Sequence, residues 1–122
     1  MRAVDLKNLN DLIIANWELQ LPTSLSIKLA RLKTKTSEHI EVYKEVLNKL
    51  INECVEKDEN GNPKIDAEGN LTLLPDKATL WQKGVTELEL EDFLIDINFT
   101  EEELNQLTLS PSQANTMLLL VK

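Results

Sequence analysis

The sequence predicts an α+β protein: a long α-helical hairpin, a small antiparallel β-hairpin or sheet, and short C-terminal helices. Three observations support this fold class. A long heptad-like apolar pattern occupies the first half of the chain, short β-compatible runs surround a Gly-containing turn near the middle, and two helix-capping patterns stand near the end. We expect a single domain over residues 1–122, with the helical hairpin in 1–57 and the β-hairpin and short helices in 58–122.

The long helix is predicted from Thr23 to Lys57. Its seam positions alternate at intervals of four and three residues, as in a heptad pattern, and comprise Leu25, Leu29, Leu32, Thr36, His39, Tyr43, Val46 and Leu50. Pro22 marks the start of the helix, and the breaker cluster Asp58–Pro63 marks its end. At about 1.5 Å per residue, such a helix is on the order of 50 Å long and exceeds the width of a compact domain. The helix therefore projects, breaks near Thr34–Ser37, or is covered by a partner chain.

The elements around this helix are shorter. An amphipathic helix over residues 3–20 is expected to fold back on the long helix through a tight corner. Residues 63–75 predict a β-hairpin around a Gly-containing turn. A helix over 76–84 is expected to end at Gly84, and the strict alternation of Thr86–Glu91 predicts a strand that could join the hairpin.

The C-terminal part carries two start signals for short helices. Thr100 with Glu103, and Ser110 with Gln113, have the spacing of capping boxes. The final run Met117–Val121 is apolar on all sides, so we expect it to be buried in this chain or in a partner. We expect no internal repeat.

The charge of the chain is strongly acidic, at −8. Residues 1–37 carry six cationic and three anionic side chains, a net charge of +3, and the remaining residues carry −11. This balance argues against direct binding to nucleic acid or to anionic membranes. The cations at Lys28–Lys35 could form a docking patch for an acidic partner or for the chain's own acidic half, or a solvated helix face.

The residues that could carry chemistry are few. A single cysteine, Cys54, cannot form an intrachain disulfide, and with only one histidine, His39, a Cys/His zinc site within one chain is excluded. The cluster that begins at Asp58 has Pro63 where a calcium-binding EF-hand loop requires glycine, so we interpret it as a turn. We therefore expect no enzymatic activity, cofactor or metal. The first residues lack the pattern of a signal peptide and no apolar run reaches the length of a membrane span.

The order of these parts resembles an uncharacterised family of small proteins encoded by phages and prophages of Gram-positive bacteria. The resemblance rests on the Leu21-Pro22 corner, the long helix, the segments Glu56–Pro63 and Asp66–Asn70, and a short Leu-Glu-Leu strand at Leu88–Leu90. It implies a phage origin and no established activity. It implies a location in the cytoplasm of a host cell or in the virion.

The sequence thus predicts a protein that acts through protein–protein contact. One hypothesis is a homo-oligomeric virion or assembly component, and the other is an acidic inhibitor that binds a host protein, including a nucleic-acid-binding one. In both cases the expected interface lies on the long helix, where its seam is interrupted by polar residues and flanked by cations. The candidate interface residues are Lys28, Arg31, Leu32, Lys35, Thr36, His39, Tyr43 and Val46.

Overall fold

The protein is mainly helical in a computed structural model that describes residues 1–121. Five helices make up 60% of the chain: α1 (Ala3–Asn16), α2 (Thr23–Cys54), α3 (Ala78–Leu90), α4 (Glu101–Asn105) and α5 (Pro111–Leu118). The described part contains no strand and no sheet, so the predicted α+β class, with its β-hairpin, is wrong. The helix predicted over residues 3–20 ends at Asn16, and the long helix ends at Cys54.

The chain divides into two compact units. Unit 1 comprises Met1–Glu41 and Glu91–Lys122, and unit 2 comprises Val42–Leu90. The long helix α2 contributes residues 23–41 to unit 1 and residues 42–54 to unit 2. It is unbroken across Thr34–Ser37.

Unit 1 is built around the buried sides of α1 and of the first part of α2. The apolar positions of both helices repeat at helical spacing, so they form one continuous buried stripe on each helix. The segment after residue 91 closes over them, and α5 packs on α1. The most buried apolar side chains are Leu6, Leu9, Leu12, Ile13, Leu25, Leu29, Leu32, Phe93, Phe99, Met117 and Leu120.

Polar contacts connect the two chain segments of unit 1. The Asn16 side chain is fully buried because its amide donates to the carbonyl oxygens of Leu12 (2.7 Å) and Thr108 (2.9 Å). Its oxygen accepts from the backbone N–H of Thr108 (2.7 Å). The backbone N–H of Phe99 donates to the carbonyl of Leu120 (2.9 Å). A buried amide whose donors and acceptor are all paired carries little desolvation penalty.

Both predicted capping boxes are present in unit 1. Thr100 accepts from the backbone N–H of Glu103 at the start of α4, and Ser110 accepts from that of Gln113 at the start of α5. The apolar end of the chain is only partly buried, however. Met117 and Leu120 are covered, whereas Leu118 and Leu119 are 60% and 62% exposed.

Unit 2 contains a closed ring of hydrogen bonds where the β-hairpin was expected. Backbone N–H groups donate from Glu56 to Thr72 (2.8 Å), from Thr72 to Lys64 (2.9 Å) and from Lys64 back to Glu56 (2.8 Å). These residues lie eight apart, and each pair of the three segments makes a single antiparallel bridge. Because three segments close on one another, no pair can extend into a two-stranded ladder.

Two nearly identical turns connect the three segments of this ring. Each has the sequence Asp-x-x-Gly-Asn, at Asp58–Asn62 and Asp66–Asn70. In each turn the aspartate carboxylate accepts from the backbone N–H groups two and four residues later. Gly61 and Gly69 have φ of +80° and +84°, a conformation that glycine adopts without steric cost. The segment 58–70 therefore contains an eight-residue repeat, and the expectation of no internal repeat is wrong.

Helix α3 replaces two predicted elements of unit 2. The predicted strand Thr86–Glu91 is wrong for residues 86–90, because these continue the helix that was expected to end at Gly84. Trp81, Gly84, Val85 and Leu88 have helical spacing and form its less exposed side. A Cβ atom at position 84 would lie 2.5 Å from Cδ2 of Leu50. Gly84 is thus a point of close helix packing and does not terminate the helix.

Candidate interaction surfaces

Lys28, the first cation of the basic cluster of α2, makes its contacts within unit 1. Nζ of Lys28 lies 2.6 Å from Oε1 of Glu103 and 5.6 Å from the centroid of the Phe99 ring. This hydrogen bond, together with one from the backbone N–H of Thr100, lowers the pKa of Glu103 below its usual range. Lys28 therefore binds an acidic residue of its own chain, which was one of the two docking roles expected for the cluster.

Two of the candidate interface residues lie inside unit 1. Leu32 and Thr36 are buried, with exposed fractions of 0% and 1%. The hydroxyl of Thr36 has no hydrogen-bond partner among the described residues. These side chains therefore belong to the core of unit 1 and are not accessible to a partner.

His39 attaches the segment after α3 to α2. Its Nε2 lies 2.7 Å from the carbonyl oxygen of Leu94, so Nε2 carries the proton that is donated. The ring also packs against Phe93, with 5.4 Å between the centroids. His39 thus has an intramolecular role in unit 1, as a hydrogen-bond donor to the backbone.

The other candidates are accessible. Arg31 and Lys35 are exposed on α2, and Nζ of Lys35 lies 3.7 Å from the Glu38 carboxylate. In unit 2, Tyr43 is half-buried and Val46 is 39% exposed. The predicted surface is therefore split between buried and exposed positions, and its role in binding stays a prediction.

A surface that the sequence did not indicate lies at the end of α1 in unit 1. Trp17 is 45% exposed, and Nζ of Lys33 lies 4.2 Å from its ring centroid. Trp17 borders an open groove of about 550 Å³ along the side of α2 that carries Ala30, Thr34, Ser37, Glu38 and Glu41. We call these residues, with Lys33, the Trp17 face.

Apolar side chains flank the Trp17 face. Ile14 lies one turn before Trp17 on α1 and is 68% exposed, and Ile27 lies one turn before Ala30 on α2 and is 46% exposed. Tryptophan is among the residues that most often dominate the energy of protein interfaces. The sequence carries one indication of this exposure. Trp17 lies just before the Leu19–Pro22 corner, and a side chain at the end of a helix has fewer neighbours to cover it.

A second apolar surface lies where α1 and α5 meet. Thr116 of α5 is hydrogen-bonded to both Asp5 and Asn8 of α1, which places the residues after Thr116 near the start of α1. Leu118 and Leu119 are the exposed residues of this stretch, and Val4 of α1 is 64% exposed. Polar bonds thus hold the helix pair together while aliphatic side chains face outward.

The described residues were compared with the requirements of a metal site and of a membrane span. No group of three or more His, Cys, Asp or Glu side chains within residues 1–121 is arranged to hold a metal ion. None of the helices in that range combines the length and the apolar character needed to cross a bilayer.

The fold and these surfaces together define a mainly helical protein of two compact units with exposed apolar side chains. Comparisons with protein-family models, with curated proteins and with solved structures find no match to this chain.

Proposed function

We propose that this chain is a non-enzymatic phage or prophage protein that acts by protein–protein contact, as a homo-oligomeric component of a virion or of its assembly. The observation that carries the proposal is the exposure of large apolar side chains on unit 1. Trp17, Ile14, Leu118 and Leu119 are all between 45% and 68% exposed. Patches of exposed apolar side chains are typical of interaction sites.

The phage origin rests on the resemblance carried by the Leu21-Pro22 corner, the long helix and the two Asp-x-x-Gly-Asn segments. In the structure, these two segments connect the three parts of the hydrogen-bond ring of unit 2. We place the protein in the host cytoplasm or in the virion.

The second candidate function is an inhibitor that binds a host protein. The acidic charge of the whole chain favours it, because a negative surface accelerates association with a basic, nucleic-acid-binding partner. Each unit contributes to this charge: Val42–Leu90 carries ten anionic and six cationic side chains.

The test is the mass in solution, measured by size-exclusion chromatography with light scattering over a wide concentration range. A mass that is a multiple of the 13.9 kDa chain supports the assembly role. A monomer that captures one specific protein from host lysate, in a salt-sensitive way, supports the inhibitor. A monomer that captures none contradicts both forms of the proposal.

A further inference from the structure

The Trp17 face carries its charges in a definite order along α2. The cations Arg31 and Lys33 come first, and the carboxylates Glu38 and Glu41 follow within the next two to three turns. Lys33, Glu38 and Glu41 line the groove itself, and Arg31 is exposed on the same stretch of the helix. A helix surface that is positive at one end and negative at the other matches a reversed copy of itself.

The centre of this surface permits close approach. Between the charged residues the groove is lined by Ala30, Thr34 and Ser37, which recur at helical spacing and are short. Two helices whose contact residues are short can approach to the lower end of the usual 8–10 Å interaxial range. Trp17 stands at the edge of the groove and offers a large, partly exposed ring to whatever enters it.

We infer that a second copy of this chain occupies the groove, with its α2 antiparallel to the first and a two-fold axis near Lys35. This inference rests on the proposed homo-oligomeric function and specifies its interface. In this pairing Thr34 of each copy faces Ser37 of the other, and Arg31 of each copy faces Glu38 of the other. Because a two-fold interface repeats every contact, each ion pair occurs twice.

The pairing competes with one contact inside the chain. Lys35 lies 3.7 Å from Glu38, but both side chains are more than half exposed. An exposed pair at this spacing contributes little and is readily exchanged. Glu38 is therefore available to Arg31 of the second copy. Lys33 keeps its position over the Trp17 ring, since the pairing uses neither of these side chains in an ion pair.

The decisive experiment uses two charge reversals, Arg31→Glu and Glu38→Arg. In each variant the repeated pair becomes a repulsion, so the dissociation constant of the homodimer should rise at least about tenfold. Mixing the two variants should restore a dimer, because the glutamate introduced at position 31 of one copy then faces the arginine introduced at position 38 of the other. The unchanged Glu38 of the first copy likewise faces the unchanged Arg31 of the second. The readout is mass by light scattering, with circular dichroism to show that each variant keeps its helicity.

The matched control is Lys83→Glu with Glu87→Lys, a charge exchange between two exposed residues of α3 in unit 2, which should leave the mass unchanged. A dimer that persists in both single variants, or two dissociated variants that do not recombine, overturns the inference. A wild-type oligomer that resists these changes but dissociates with Leu118→Asp overturns this interface and retains the proposed function. A wild-type monomer that binds no protein contradicts both.

Discussion

The two glycines of the Asp-x-x-Gly-Asn turns give a quantitative test of the hydrogen-bond ring. Both have φ near +80°, and no atom lies within 4 Å of the position that a Cβ would take at either residue. Gly61→Ala and Gly69→Ala should therefore impose only the backbone cost of a left-handed conformation, about 1–2 kcal/mol per residue. Since the two turns have the same geometry, the two variants should lose the same stability to within a few tenths of a kcal/mol.

The assay follows from the positions of the two tryptophans. Trp17 lies in unit 1 and Trp81 in unit 2, so in a Trp17→Phe background the fluorescence of Trp81 reports the unfolding of unit 2 in urea. With a denaturant slope of about 1–3 kcal/mol/M for a small protein, the midpoint should fall by roughly 0.3–2 M. Gly61→Asn and Gly69→Asn are the controls, and should cost less because asparagine tolerates this conformation. Equal losses for Ala and Asn, or a loss at one turn only, would refute the proposed geometry.

Three further predictions concern unit 1, and each is measured by the unfolding of a Trp81→Phe variant, in which Trp17 reports. Asn16→Ala should destabilise the unit by about 2–3 kcal/mol, because it leaves the backbone polar groups of Thr108 without their partner; the exposed Asn10→Ala should have no measurable effect. Thr36→Val should stabilise the unit by about 1 kcal/mol, because it replaces a buried unpaired hydroxyl by a methyl group of the same size, and a loss of stability would show that the hydroxyl is paired. Glu103→Gln should destabilise the unit at neutral pH but not in acid. The pKa of Glu103 is lowered in the folded protein, so its contribution to the free energy of unfolding is present above the ordinary value of 4.5. This contribution is lost as the pH falls through the folded pKa. A difference between Glu103→Gln and the wild type that is independent of pH would contradict this reasoning.

The parts of the fold that sequence reasoning recovers are those determined by local chemistry. The capping boxes at Thr100 and Ser110 are present, because a side-chain acceptor three residues before an N–H donor is a local relation. The seam of α2 correctly places Leu25, Leu29 and Leu32 in a core. The helical period over that stretch is long enough to decide between helix and strand.

The errors arise where two patterns overlap or where a distant segment decides. The alternation at 86–90 is a strand pattern over five residues, but together with Trp81 and Gly84 it completes a helical stripe. The expected hairpin has the right turns, but residues 55–57 at the end of α2 add a third segment that closes the ring. The eight-residue spacing of the two Asp-x-x-Gly-Asn segments was visible in the sequence and would have indicated equivalent turns.

The burial of the candidate interface residues also depends on a segment that is distant in the sequence. Thr36 and His39 interrupt the apolar seam, which suggested a polar surface for a partner. The segment after α3 instead supplies Phe93 and the Leu94 carbonyl to His39, and Thr36 is buried without a partner among the described residues. No local pattern in α2 could reveal that residues more than 50 positions away cover this side of the helix.

The discontinuity of unit 1 has a consequence for synthesis on the ribosome. Its first part, Met1–Glu41, contains Leu6, Leu9, Leu12 and the seam of α2, whereas the side chains that cover them come from Glu91 onward. At 5–20 residues per second, the roughly 80 residues after Glu41 take about 4–16 s to appear. Unit 2, whose ring joins residues only 8 to 16 positions apart, can form during that interval. The nascent chain therefore exposes an uncovered apolar helix pair for several seconds, and transiently exposed apolar surface of this kind is prone to aggregation.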